Sequence, residues 1–204
     1  MLLTAADLET PRTPVELRAF IERVRAYVRA DRLEFELGMA KQGYYKEFLD
    51  EVVPLCSFAE VFYPADCKVQ SVLGNHGFDA IVFDAHGSEI DKVEFATPHD
   101  GAAAAANARQ VVARGYSDVR SCDYTEVLDE FFSFFEATSK AKSLKDYSGV
   151  TVVFYLATPP ALAGLEAVFD QKVERLKGII AANKFKAKRV FLYVPYGCLR
   201  QIDD

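Results

Sequence analysis

Two acidic residues on neighbouring predicted strands have the clearest capacity for chemistry in this sequence. The β-like runs 77–84 (GFDAIVFD) and 89–97 (EIDKVEFAT) flank residues 85–88, Ala-His-Gly-Ser, which predict a tight hairpin turn with its glycine at positive φ. With the turn centred in that tetrapeptide, Asp79 is expected opposite Glu94. Directly opposite residues share one face of the sheet, with Cβ atoms about 4.5–5.5 Å apart.

This carboxylate pair would need an offsetting positive charge or proton. Asp79 alternates with Ile81 and Phe83, so its face of the strand is apolar. Two carboxylates on such a face repel each other and are costly to desolvate. A shared proton, a neighbouring cation or a divalent metal would stabilise them, and Mg²⁺ commonly takes one or two carboxylates while keeping several waters. Asp79 and Glu94 are therefore candidate metal ligands.

Two other interpretations of the pair stay open. Either acid could lie at a solvated strand end, close to Gly77 or Pro98, or Lys92 on the same face as Glu94 could form a plain cross-strand ion pair. The inference also depends on register, because a slip of one residue would move the two carboxylates to opposite faces. The expected register pairs Ala80 with Val93 and Phe83 with Ile90.

The helix predicted over residues 31–53 carries two further charged candidates. Lys41 falls within its apolar stripe and Glu34 falls at the edge, whereas Glu36 falls outside. Lys41 could extend past Tyr44 to water. Alternatively, Glu34 and Lys41 could reach toward the hairpin carboxylates. The stripe consists of Leu33, Leu37, Ala40, Tyr44 and Phe48.

The remaining pattern predicts one α/β domain over residues 1–204, with residues 1–30 as a helical arm packed on it. Thr13 and Glu16 form a capping box before a helix at 14–30. Residues 54–67 are expected to be irregular, apart from a short helical turn. Strands are predicted near 68–74, 77–84, 89–97, 150–156 and 188–194, and further helices near 101–114, 125–142 and 162–184. An early hairpin and later crossovers imply a mixed sheet with flanking helices.

Composition and charge limit the classes of function. The sequence has no apolar run long enough to span a bilayer and no signal-peptide pattern, so a soluble, cytoplasmic protein without membrane association is expected. Residues 1–139 carry 13 Lys/Arg and 24 Asp/Glu, whereas residues 140–200 carry 11 and 4. The basic segment 172–189 could therefore hold nucleic-acid phosphates, or could be a solvated helix face.

Residues 31–157 resemble the PD-(D/E)XK, or restriction-endonuclease-like, nuclease superfamily. The order helix, three-strand meander, helix, strand is similar, Asp79 in GFDAIVF matches the family's Asp, and Glu94 in VEFAT matches its Glu. Glu34, or failing it Glu36, matches the acid of the upstream helix. Ala96 stands where the family has its lysine.

The resemblance implies a restriction-endonuclease-like core and Mg²⁺- or Mn²⁺-dependent hydrolysis of nucleic acid, as an endonuclease, an exonuclease or an inactive relative. Lys92 or Lys41 would replace the absent lysine. The alternative is a non-catalytic module on the same fold that binds nucleic acid or protein. An unrelated α/β enzyme is a third possibility, although no GxGxxG, GxxxxGK[ST] or GxSxG motif nominates one. The choice between DNA and RNA, the pathway and the oligomeric state stay open.

Overall fold

A computed structural model describes residues 3–98, 101–117, 123–156, 166–195 and 198–202. The chain divides into two compact units, the first comprising Met1–Phe95 and Gly101–Asp118 and the second comprising Ala96–Asp100 and Val119–Asp204. Both units combine helices with strands, which confirms the predicted α/β class. The single-domain organisation stays a prediction. Among the described helices, none has the length and apolar character to cross a bilayer.

The first unit contains six α-helices and one π-helical turn among its described residues, and the sequence predicts only part of them. They are α1 (Ala5–Glu9), α2 (Pro14–Ala30), α3 (Arg32–Met39), α4 (Tyr45–Glu47), a π-helical turn (Phe48–Val52), α5 (Val53–Phe62) and α6 (Gly101–Arg114). The predicted helix at 14–30 is confirmed, including its capping box: the Thr13 hydroxyl accepts the Glu16 N–H, and the Glu16 carboxylate accepts the Thr13 N–H. The short helix α1 was not predicted, although Thr4 and Asp7 cap it in the same way.

The Thr13 cap yields a stability prediction. Thr13→Ala removes the hydroxyl that satisfies an unpaired N–H in the first turn of α2, so we expect a loss of about 1 kcal/mol in the free energy of unfolding. Urea denaturation at neutral pH measures it. Val15→Ala on the same helix is a matched control, because Val15 is 69% exposed and takes no part in the cap. An equal loss in both variants would contradict this account of the cap.

The prediction of one helix over residues 31–53 is wrong. Helix α3 ends at Met39, and the chain then passes through left-handed backbone at Lys41 (φ 50°) and Gly43 (φ 56°) before α4 begins. Left-handed residues interrupt helical hydrogen bonding, so residues on either side no longer share one face. The predicted stripe is broken accordingly: Leu33 is 63% exposed and Tyr44 is 40% exposed.

The segment after this break is more helical than expected. Residues 54–67 were predicted to be irregular, but α5 runs from Val53 to Phe62. The Val53 N–H bonds the Phe48 carbonyl, an i→i+5 pattern that defines the π turn. Pro54 then occupies the first turn of α5, where proline's missing N–H is tolerated. Pro54 therefore continues the helix instead of ending it.

Three antiparallel strands complete the first unit. They are β1 (Lys68–Ser71), β2 (Ala80–Phe83) and β3 (Glu89–Ala96). Strand β2 lies between the other two, with Ser71 opposite Ala80 in one pairing and Ala80 opposite Val93 in the other. The predicted meander and the Ala80–Val93 register are confirmed, and β1 and β2 are shorter than predicted.

The hairpin turn differs from the prediction in one respect. Gly87 has the expected positive φ of 84°. However, the Asp84 N–H donates to the Ser88 carbonyl at 2.9 Å, which closes the turn and sets Phe83 opposite Glu89. The predicted Phe83–Ile90 pair is therefore wrong, because the register shifts by one residue between Val82 and Phe83. At such a bulge, one residue of one strand has no residue directly opposite it on the neighbouring strand.

Aromatic packing forms the centre of the first unit. Phe58 is fully buried; its ring stacks on Phe62 with centroids 5.0 Å apart and meets the edge of Phe95 at 6.2 Å. Helix α2 contributes Phe20, whose ring packs against Phe48 at 6.1 Å. These contacts connect α2, the π turn, α5 and β3, so they fix the elements that carry the acidic residues.

The second unit contains β4 (Asp146–Tyr155), β5 (Lys186–Val194) and β6 (Cys198–Ile202), with helices α7 (Tyr124–Ser143) and α8 (Glu166–Ala181). Strands β4 and β5 are parallel, and β6 is antiparallel to β5. The predicted mixed sheet is thereby confirmed. Strand β6 was not predicted. The buried strands were expected from their continuous apolar runs, and Val152, Phe154 and Leu192 are indeed fully buried.

Candidate functional site

Asp79 is fixed just before β2 by two hydrogen bonds to β3. Its N–H donates to the Val93 carbonyl at 2.8 Å, and its Oδ2 accepts the Phe95 N–H at 2.7 Å. Val93 and Phe95 are the residues on either side of Glu94. Asp79 is thus held against the stretch of β3 that contains Glu94, and its carboxylate bends toward the β3 backbone.

Glu94 itself is buried, with only 6% of its surface exposed. Burial of an ionised carboxylate is costly unless charge or hydrogen bonds compensate it. Asp91, three residues earlier and on the other face of the same strand, is similarly buried and accepts a hydrogen bond from the Tyr63 hydroxyl at 2.6 Å. The centre of β3 therefore holds two buried acids within a short stretch.

A third acid, Glu51, lies close enough to Asp79 for their charges to interact. It occupies the π turn and is half-buried. Burial and, after it, the negative charge of Asp79 raise the pKa of Glu51 to about 8, and the charge of Lys46 opposes the shift. The sequence 47–51, EFLDE, holds three acids at i, i+3 and i+4, which an α-helical projection places on one face of the helix. The predicted helix acid of the site was Glu34, so Glu51 was missed.

The raised pKa of Glu51 predicts how stability depends on pH. The protonated carboxyl is favoured in the folded state, so its contribution is full below about pH 4.5 and is lost as pH rises through about 8. In metal-free buffer, we expect the free energy of unfolding to fall over this interval. Glu51→Gln should flatten the decline, as measured by urea denaturation at successive pH values.

A matched control for this pH dependence is Glu89→Gln, because Glu89 is exposed at the start of β3. Its pH profile should follow that of the wild type. A Glu51→Gln profile as steep as the wild-type profile would contradict the assignment of the decline to Glu51.

The two predicted lysines are engaged with other partners. Lys92 Nζ lies 3.5 Å from Glu89 Oε1 and 4.9 Å from the centroid of the Phe78 ring. Lys41 Nζ lies 2.5 Å from Asp50 Oδ1, so it reaches the π turn that also carries Glu51. Their roles at the hairpin stay predictions. Lys46, which sequence reasoning missed, is the lysine whose charge acts on Glu51.

The predicted helix acids lie elsewhere in the first unit. Glu34 is buried, and its Oε2 accepts a short hydrogen bond from the Tyr45 hydroxyl. Glu36 pairs with Arg32 at 3.0 Å on the surface of α3. The break at Lys41 and Gly43 separates these acids from the helical segment that approaches Asp79. The structure thus brings Glu51, rather than Glu34, into electrostatic contact with Asp79.

The acidic residues fit a hydrated Mg²⁺ or Mn²⁺ ion better than a fully protein-ligated one. Within the described ranges, no group of three or more His, Cys, Asp or Glu side chains is arranged to hold a metal ion. Mg²⁺ needs only one or two carboxylates and retains its waters. Glu47 Oε2 is buried and has no hydrogen-bond partner among the described residues, so a cation nearby would satisfy it. The donor set is compatible with such an ion.

Much of the basic segment 172–189 is packed within the second unit. Lys172 is 7% exposed, the Arg175 guanidinium lies 3.8 Å from the centroid of the Phe132 ring, and Lys177 pairs with Glu174 at 2.9 Å. Several of these cations therefore serve local packing. Three basic residues near the end of the segment are exposed to solvent: Lys184, Lys186 and Lys188.

Comparison with known proteins adds no family assignment. No protein-family model matches this chain, and no curated protein or solved structure matches it.

Proposed function

We propose that this chain is a divergent nuclease-like domain that hydrolyses phosphodiester bonds of nucleic acid with a divalent metal ion. The observation that carries the proposal is the anchoring of Asp79 across β3, with bonds to the residues on both sides of Glu94. The restriction-endonuclease-like resemblance requires an Asp and a Glu on neighbouring strands of a hairpin, and Asp79 is bonded to the strand that carries Glu94. The core of that fold is part of the proposal.

In this proposal, Asp79 and Glu94 hold the metal ion. When bound, Mg²⁺ or Mn²⁺ would polarise a phosphate oxygen and lower the pKa of a coordinated water. Glu51, whose pKa is raised by burial and by Asp79, can accept a proton from an attacking water near neutral pH.

Lys46 is our candidate for the lysine that the resemblance places at position 96. Its positive charge acts on Glu51 and would stabilise negative charge developing near that carboxylate. Lys92 and Lys41 remain the alternatives predicted from sequence. The exposed cations at 184–188 would contact backbone phosphates, which positions nucleic acid without selecting a sequence.

A cleavage assay tests the proposal. Purified protein is incubated with supercoiled plasmid, linear duplex DNA, single-stranded DNA and RNA, in Mg²⁺ and in Mn²⁺. We expect cleavage of at least one substrate that increases with protein concentration and stops when EDTA is added. Protein that leaves all four substrates intact with both metals would contradict the enzymatic proposal.

The second candidate function is a non-catalytic binding module on the same fold. It is favoured by Ala96, which is 1% exposed and supplies no cation at the position where the resemblance expects lysine. Calorimetric titration with Mn²⁺ separates the two functions. The enzyme should bind Mn²⁺ with release of a proton from Glu51, whereas the module should give no saturable heat while retaining binding to a labelled oligonucleotide or a protein partner.

A further inference from the structure

A small, partly open apolar cavity in the first unit is lined by one buried carboxylate. The cavity has a volume of about 260 Å³, and its walls include Leu3, Leu37, Tyr44 and Tyr45. Glu34 also lines it and is 5% exposed. The cavity uses none of the residues of the Asp79 site, and its carboxylate has no part in the proposed cleavage of nucleic acid.

Glu34 has only part of its hydrogen-bonding capacity satisfied. Its Oε2 accepts the Tyr45 hydroxyl, and no other side chain of the described residues bonds or pairs with this carboxylate. Burial of a carboxylate costs free energy unless hydrogen bonds or charge compensate it, and a neighbouring cation is the usual compensation. The nearest candidates along the chain are occupied: Lys41 pairs with Asp50 at 2.5 Å and Arg32 pairs with Glu36 at 3.0 Å.

The electrostatic surroundings of the cavity are acidic. The pKa of Tyr45 is raised by burial, by its hydrogen bond to Glu34, and by the charges of Glu34 and Asp31. The same two acids raise the pKa of Tyr27, after the effect of burial. Among the residues that line the cavity, Glu34 is the charged one, and the other walls are mainly apolar or aromatic.

We propose that this cavity binds a small organic cation, a primary ammonium group carried on an apolar or aromatic body. The ammonium would donate a charge-assisted hydrogen bond to Glu34, and the rings of Tyr44 and Tyr45 would contact the cation and the body. The volume is below the range of about 300–1,000 Å³ that is usual for drug-sized ligands, so the ligand is a compact amine.

Calorimetric titration with 2-phenylethylamine tests the proposal, because this probe has a primary ammonium on a compact aromatic body. The matched neutral probe is 2-phenylethanol, which has the same body without the charge. We expect saturable binding of the amine, and affinity for the alcohol weaker by about tenfold or more, in line with the loss of a charge-assisted hydrogen bond.

Variants of the cavity locate the binding. Glu34→Gln keeps an oxygen for the Tyr45 hydroxyl and removes the charge, so it should weaken amine binding by about tenfold or more. Glu36→Gln, two residues away and outside the cavity, is the matched control and should bind as the wild type does. Tyr44→Ala removes an outer wall at a residue that is 40% exposed, so it should fold normally and still weaken binding.

Three outcomes would overturn the proposal: no saturable binding of 2-phenylethylamine to the wild-type protein, equal affinity for the alcohol, or equal weakening in Glu36→Gln and Glu34→Gln. If Glu34→Gln fails to fold, the comparison of Tyr44→Ala with the wild type decides whether the amine binds in this cavity. Binding that is unchanged in Tyr44→Ala would place the amine elsewhere.

Discussion

Asp79→Asn is expected to lower metal-dependent cleavage of nucleic acid by about a hundredfold or more, if the proposed function is right. The variant removes one charge from the pair that we propose as the metal ligands, and loss of one such electrostatic group typically costs about 10²–10³ in rate. Asparagine retains an oxygen that can accept the Phe95 N–H, so the hairpin should persist. Initial rates of plasmid cleavage with Mn²⁺ measure the effect.

Glu89→Gln is the control for this experiment, because it removes an exposed carboxylate from the same strand and should cleave at the wild-type rate. A second readout does not depend on activity. Asp79→Asn removes a negative charge that acts on Glu51, so the pKa of Glu51 should fall below its wild-type value of about 8. NMR titration of the Glu51 side-chain carbon follows this pKa, and an unchanged value would refute their electrostatic coupling.

Phe58→Ala should produce the largest loss of stability in the first unit, about 3–5 kcal/mol in the free energy of unfolding. Phe58 is fully buried and packs against three other aromatic rings, Phe62, Tyr63 and Phe95. Alanine would leave a cavity that these rings cannot close without moving. The loss is a large share of the total stability of a typical domain.

Urea or guanidinium denaturation, followed by far-UV circular dichroism, measures the effect of Phe58→Ala. Val61→Ala on the same helix is the control: Val61 is 60% exposed, so its truncation should change the free energy of unfolding by less than about 0.5 kcal/mol. Comparable losses in the two variants would show that Phe58 is not central to the core.

The hairpin could be predicted from sequence because local signals there agree. Alternating apolar residues on each side of a glycine-containing turn define the strands, and Ala80 pairs with Val93 as expected. The bulge near the turn was missed because it depends on a hydrogen bond from the Asp84 N–H to the Ser88 carbonyl, which no periodicity reports. Local pattern therefore predicts strands better than it predicts their register at a turn.

Helical periodicity could not show which helical acid lies near Asp79. An α-helical projection of residues 31–53 assumes an unbroken helix, whereas left-handed backbone at Lys41 and Gly43 separates α3 from α4. Gly43 was a visible signal for that break, but the π turn after it has no simple sequence signature. The electrostatic partner of Asp79 thus depends on tertiary packing that places Glu51, not Glu34, near the hairpin.

The π turn has a consequence for the tolerance of this helix to deletion. A π turn amounts to one extra residue within an α-helix, and each residue of an α-helix turns the chain by about 100°. Removing one residue between Phe48 and Val52 would restore the i→i+4 hydrogen bonds of an α-helix. It would also rotate the residues that precede the π turn relative to α5. The buried face that carries Phe58 and the acidic side chain of Glu51 could then no longer both keep their present directions. A single-residue deletion here should therefore be more damaging than most substitutions at the same positions.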